Sequence, residues 1–121
     1  MTLRARLEES IQKELIAYIA AIVPRAIVFA VPNASKRSLN GRPYNMVPGL
    51  MAGAPDLVVL LPGGRAVMIE VKTPKGRSSE KQVAFSGRCN AIGHSYFVAR
   101  SQDDVRRAFA VLGVETREAQ A

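Results

Sequence analysis

The sequence has a single cysteine, Cys89, in 121 residues. An internal disulfide and a zinc site built on cysteines are therefore both excluded, and a reducing, intracellular setting is expected. It has a single histidine, His94, which stands after a glycine and reads as a loop residue rather than a catalytic base. No apolar run approaches the ~18 residues that a membrane span needs. The opening MTLRARLEES is amphipathic from its start and lacks the apolar core of a secretion signal, so a cytoplasmic location is expected. Internal repeats and low-complexity tracts are missing as well.

What remains is the composition of an ordinary globular chain, 48% hydrophobic and 22% charged. Its length suits one core and not two, with a single domain expected over residues 1–114 and a tail over 115–121 that has little to bury and should fray. Seventeen basic residues against 10 acidic ones give a net charge of +7, which points toward a polyanionic partner.

The chain is organised around Gly53 to Gln82. Asp56 opens the β-branched run Leu57 to Leu61, Pro62-Gly63-Gly64 supplies a turn, and Ala66 to Lys72 alternates. A strand has a period of two, so Val67, Ile69 and Val71 share one face while Met68, Glu70 and Lys72 share the other. Two carboxylates and an ammonium then converge at one end of a hairpin. Burying charge is costly unless it is paired or holds a metal, so the cluster suggests a hard-metal site. The alternative is a solvated sheet face that happens to end in Glu-x-Lys.

The rest of the chain is read around that hairpin. Leu7, Ile11, Leu15, Ile19 and Ile22 recur at helical spacing and Pro24 ends the run, which predicts a first helix over 7–22. Glu8 stands on the shoulder of its apolar stripe; Glu9 and Glu14 should face solvent, with Glu9 kept as a second candidate for the site. Ala26 to Val31 reads as a strand in the sheet core. Residues 32–53 are rich in Asn, Ser, Pro and Gly, and so long a loop in a small domain is usually functional or disordered. It carries Lys36, Arg37, Arg42 and Tyr44, side chains suited to phosphates and an exposed base. Lys75 and Arg77 add a basic turn after Lys72. Ser79 with Gln82 forms a capping box at the start of a helix that runs to Gly93. Ser95 to Ala99 is a last strand. Ser101 with Asp104 makes another capping box and opens a last helix whose apolar face is Val105, Phe109 and Leu112.

Pro55-Asp56, one hairpin, then Glu70-Val71-Lys72 is the PD-(D/E)xK nuclease signature. Gly49-Leu50, Gly53-Ala54-Pro55-Asp56-Leu57, Ile69-Glu70-Val71-Lys72-Thr73-Pro74 and Ser79-x-x-Gln82 together resemble the VRR-NUC branch of that superfamily over roughly residues 8 to 112. The resemblance implies an α/β, restriction-endonuclease-like fold: an α-β-β-β-α-β core with a mixed sheet flanked by helices. It implies a metal-dependent, structure-selective DNA endonuclease, a phosphodiester hydrolase using Mg²⁺ with Mn²⁺ as substitute. Asp56 and Glu70 would be the ligands, the Val71 carbonyl a third, and Lys72 would position or activate water. Glu8-Glu9-Ser10-Ile11-Gln12 matches the first-helix pattern that contributes a glutamate, which nominates Glu8, although an acidic first turn is also what a helix dipole favours. Gln82 has two readings, as capping-box residue and as a member of the site.

Stand-alone relatives of virus type act on four-way (Holliday) junctions as homodimers, which implies a branched-DNA substrate, a two-fold pair, a role in recombination or DNA repair, and a phage or bacterial origin. A flap or other repair nuclease is the alternative, as is a catalytically silent DNA-binding module on the same fold. No membrane partner and no nucleotide cofactor are expected.

Overall fold

The computed structural model describes residues 2–32 and 48–118. The order of elements is α1 (Leu3–Ile22), β1 (Ile27–Ala30), β2 (Leu57–Leu61), β3 (Arg65–Val71), α2 (Glu80–Ala91), β4 (Ser95–Ala99) and α3 (Gln102–Val111). The four strands form one sheet in the order β1-β2-β3-β4. β1 and β2, and then β2 and β3, pair antiparallel. β4 returns through α2 to lie parallel to β3. The expected mixed α/β sheet between helices is the one observed.

α1 begins earlier than its apolar spacing indicates. Thr2 caps it, its hydroxyl accepting the Ala5 N–H at 3.0 Å. The first two turns project beyond the sheet, and Leu7 is 47% exposed instead of belonging to the core stripe. The helix anchors through Leu15, Ile19 and Ile22, which are buried.

One sheet face carries Leu57, Val59, Leu61, Val67, Ile69, Val71 and Ala99, and these pack with the buried α1 residues and with Val105 and Phe109 of α3 in a single core cluster. Full burial of each such side chain contributes about 1.5–3 kcal/mol relative to exposure. The opposite face carries Met68, Glu70 and Tyr96. α2 lies over its β4 side, with Phe85 against Tyr96 at 6.0 Å between ring centroids. The alternation in β3 is therefore a division between two layers. Gly63 and Gly64 take the positive φ that the hairpin turn demands.

Three expectations are corrected. β1 is an edge strand, and Ile27 and Phe29 on its outer face are exposed, so it does not form the sheet core. An end strand has one hydrogen-bonded neighbour, and among the described residues no helix lies over this half of the face. At α3, Ser101 accepts the Asp104 N–H, yet Asp104 does not return to Ser101 as a capping box requires. Its Oδ2 accepts instead from the N–H of Arg100, at 2.8 Å. The chain expected to fray from residue 115 is tied down as far as Arg117, whose N–H and Nε donate to the carbonyls of Ile22 and Ala21 at the end of α1. Among the described residues, no helix is long and apolar enough to cross a membrane.

Candidate active site

The site lies where β2 begins and β3 ends, because an antiparallel hairpin brings those two ends together. The β2–β3 ladder stops at Leu57 opposite Ile69, so Val71 has no strand partner on that edge. Its N–H donates to Asp56 Oδ2 at 2.7 Å, the carboxylate standing in for the missing carbonyl. In an extended strand a residue's N–H and C=O leave by the same edge, so the Val71 carbonyl is turned toward Asp56 as well.

Glu70 is buried, with 1% of its surface exposed. Both oxygens are held by hydroxyls: Ser78 donates to Oε2 at 2.6 Å and Tyr96 to Oε1 at 3.0 Å. Lys72 is 9% exposed, and its Nζ stands 3.8 Å from Glu70 Oε2, as the shared strand face predicts. Its backbone N–H continues the sheet by donating to the Ala99 carbonyl. A carboxylate this deep is tolerable because donors meet each of its oxygens.

Burial pushes the Asp56 carboxyl above the usual carboxylate range. The Val71 N–H and Lys72 pull it back, while Glu70 and Glu8 add to the rise. The Tyr96 phenol is pushed far above its ordinary value by burial and then by Glu70, which keeps it a proton donor to that carboxylate.

The structure brings Glu8 to the same end of the sheet. It is half-buried, felt by Asp56, and paired with Arg4 (Nε to Oε1, 3.7 Å). Glu9 is exposed, and Glu14 accepts from Gln102 on the outer surface. Gln82 sits in a complete capping box, its Oε1 accepting the Ser79 N–H at 2.8 Å. Lys75 and Arg77 are exposed on the turn after Lys72. Lys36, Arg37, Arg42 and Tyr44 lie outside the described residues.

Gly53, with φ of +85°, carries the chain into Asp56 against the first turn of α2. A Cβ there would stand 2.1 Å from the Lys81 carbonyl oxygen, so only glycine permits the approach.

The donor set can be tested against a divalent cation. Among the described residues, no three His, Cys, Asp or Glu side chains converge into a cage. Two carboxylates beside a backbone carbonyl are hard oxygen donors. Such a set suits a small cation that keeps several of its waters, as Mg²⁺ does.

Ser78, Tyr96 and Arg100 were not singled out from the sequence. The Arg100 guanidinium donates to the Gly76 carbonyl at 2.6 Å and pins the turn that follows Lys72. Tyr96 shares a face with Glu70 only through the parallel register that sets Met68 beside Tyr96 and Glu70 beside Val98. A polar-tipped aromatic in a strand was the available signal.

Residues 7–103 match the family model described as VRR-NUC domain. The protein named "Putative nuclease p44" of Acyrthosiphon pisum secondary endosymbiont phage 1 is 29% identical over 96 residues, covering 79% of this chain and 85% of that protein. Two solved structures share the fold. One, titled "VRR_NUC domain", has a TM-score of 0.55 at 23% identity and covers 91% of this chain and 97% of its own. The other, titled "VRR_NUC domain protein", has a TM-score of 0.53 at 18% identity, covering 85% and 84%.

Proposed function

The chain belongs to the VRR-NUC nuclease family, and from that premise we propose that it is a divalent-metal-dependent endonuclease that hydrolyses phosphodiesters in branched DNA. The observation that carries the reading is the pairing of two desolvated carboxylates, Asp56 and Glu70, with a buried ammonium 3.8 Å from the second. Folding gains little from such an arrangement, since desolvating these charges costs more than an exposed pair returns.

Asp56 and Glu70 would hold Mg²⁺, or Mn²⁺ in its place, with the Val71 carbonyl beside them. When bound, the cation supplies Lewis-acid polarisation of the phosphate and a water of lowered pKa. Ser78 and Tyr96 fix the rotamer of Glu70 through one hydroxyl on each oxygen. Asp56 is fixed by the Val71 N–H. Lys72, with its stem buried and its ammonium at the carboxylate, orients the attacking water and offsets charge on the phosphate. Glu8, half-buried near Asp56, and Gln82 in the first turn of α2 are proposed as further polar members of the site. Lys75 and Arg77, with Lys36, Arg37, Arg42 and Tyr44, are proposed to contact the DNA backbone.

A branched substrate such as a four-way junction and a homodimer belong together in this reading. Resolving a junction takes two symmetric cuts, and a closed two-fold pair supplies two copies of one small site. Exposed apolar side chains at Met51 and Val111 offer surface to such a contact.

The deciding experiment incubates the purified protein with supercoiled plasmid, flaps and four-way junctions in Mg²⁺, Mn²⁺ and EDTA. Cleavage of the branched substrates with either metal and none in EDTA is expected. Binding without cleavage in every condition would leave a silent DNA-binding module instead.

A further inference from the structure

We propose that Arg4 is a substrate-positioning residue whose guanidinium, lying over the turn at Gly76, seats a DNA phosphate adjacent to the one being cut. The inference rests on the nuclease reading and adds to it a residue that the hairpin motif does not contain.

Arg4 is in the first turn of α1, a turn that holds Arg4 and Arg6 and no acidic residue. This inverts what the helix dipole favours, since a cation at a helix N-terminus is opposed by the partial positive charge there. Among the described residues it makes one ion pair, with the half-buried Glu8 at 3.7 Å one turn on, and such an i,i+4 pair contributes only about 0.3–0.5 kcal/mol. Stability therefore gives little reason for an arginine at this position.

Its placement supplies another reason. A Cβ on Gly76 would meet the Arg4 terminal nitrogen at 3.4 Å, Lys72 Cδ at 3.4 Å and Thr73 Oγ1 at 3.1 Å. The guanidinium and the lysine stem thus stand beside the same residue. On the other side of this residue the Gly76 carbonyl receives the Arg100 guanidinium, and the Gly76 N–H closes the turn on the Thr73 carbonyl at 3.0 Å. The turn is thus gripped between two guanidiniums, with Lys75 and Arg77 exposed on it. Positive charge accumulates within a few ångströms of the Lys72 stem.

The chemistry suits a phosphodiester. Glu8 engages Nε and orients the planar group, while the side chain stays 61% exposed and presents its terminal N–H donors outward. That fork matches two phosphate oxygens in a way a lysine cannot reproduce. Arg6 has the same charge two residues on, so it faces away from Arg4 around the helix. It therefore serves as an internal control.

The test measures binding of a labelled four-way junction in EDTA over a range of salt, for the wild-type protein, Arg4→Ala, Arg4→Lys and Arg6→Ala. Loss of one phosphate contact should flatten the plot of log K against log salt by about one unit. Arg4→Ala should show that change with weaker binding. Arg4→Lys should restore the slope without the full affinity, and Arg6→Ala should retain the wild-type slope. In Mg²⁺, Arg4→Ala should raise KM more than it lowers kcat. A wild-type slope in Arg4→Ala, from a protein that cuts junctions, overturns the inference alone. Equal flattening by Arg4→Ala and Arg6→Ala overturns it too, since net charge would then be the cause. Failure of the wild-type protein to cut any branched DNA overturns the nuclease reading instead.

Discussion

Tyr96 donates a hydrogen bond to Glu70 Oε1 at 3.0 Å across 26 residues of sequence, from the strand that lies parallel to β3. With Ser78 on Oε2, it leaves the carboxylate a single orientation. Groups that orient a metal ligand typically matter 10–100-fold to metal affinity or activity. Tyr96→Phe, which keeps the ring against Phe85, should therefore lower cleavage by about that factor at limiting Mg²⁺. Titrating Mg²⁺ against cleavage rate should recover most of the loss at high concentration; a deficit that no amount of Mg²⁺ reduces would place Tyr96 in another role.

Asp56 shows the opposition between folding and chemistry. Burial holds its carboxyl above the usual range, so the folded protein binds that proton more tightly than the unfolded chain does. By linkage the folded state gains from a neutral side chain there, and the ionised form costs stability as pH rises through the folded pKa. Asp56→Asn keeps an acceptor for the Val71 N–H and removes the charge. Its melting temperature at neutral pH in EDTA should equal or exceed that of the wild type, while cleavage falls to background. A clear loss of thermal stability would contradict the account of the site.

Asp104 titrates in the opposite sense. The Arg100 N–H, chiefly, and then Arg107 hold its carboxyl below the usual range. Stability from the ionised form is fully present above about pH 4, the unfolded value being 3.8, and is lost as pH falls through the lower folded value. Asp104→Asn keeps an acceptor for the Arg100 N–H but removes the charge, and should cost about 0.3–1 kcal/mol at pH 7, as loss of negative charge from a helix's first turn usually does. The difference from wild type should close in strong acid. Denaturant titrations at several pH values measure it, and a gap that stays constant with pH would rule the ionic contribution out.

Gly53→Ala should be among the most damaging single-methyl changes in the chain. The left-handed backbone alone costs about 1–2 kcal/mol for a residue with a Cβ, and the new carbon would lie 2.1 Å from the Lys81 carbonyl oxygen. Forcing the start of α2 aside adds about 1–3 kcal/mol and moves the strand entrance at Asp56. Expected outcomes are a melting temperature lowered by ten degrees or more and cleavage reduced beyond what the unfolded fraction explains. A protein with wild-type stability would show that α2 shifts without resistance.

Local patterns decided much of this protein. The period of two along β3 put Glu70 and Lys72 on one face and Val67, Ile69 and Val71 on the other, because a strand's geometry allows nothing else. The turn at Gly63-Gly64, the box at Ser79 and Gln82 and the apolar face of α3 were legible for the same reason: each is written within a few residues. Tertiary structure decided what crosses the chain. The parallel register of β3 and β4 set Tyr96 beside Glu70, and no spacing within either strand encodes an offset between them. The length of α1 beyond its buried stripe carried Arg4 and Glu8 to the far end of the hairpin, where apolar periodicity has no signal because Leu3 and Leu7 of those turns stay exposed. Arg100 follows β4 in sequence, yet its guanidinium reaches the Gly76 carbonyl, 24 residues away. β1 had a core strand's composition, yet the sheet order left it at an edge, since which neighbours a strand acquires depends on the whole sheet and not on its own residues.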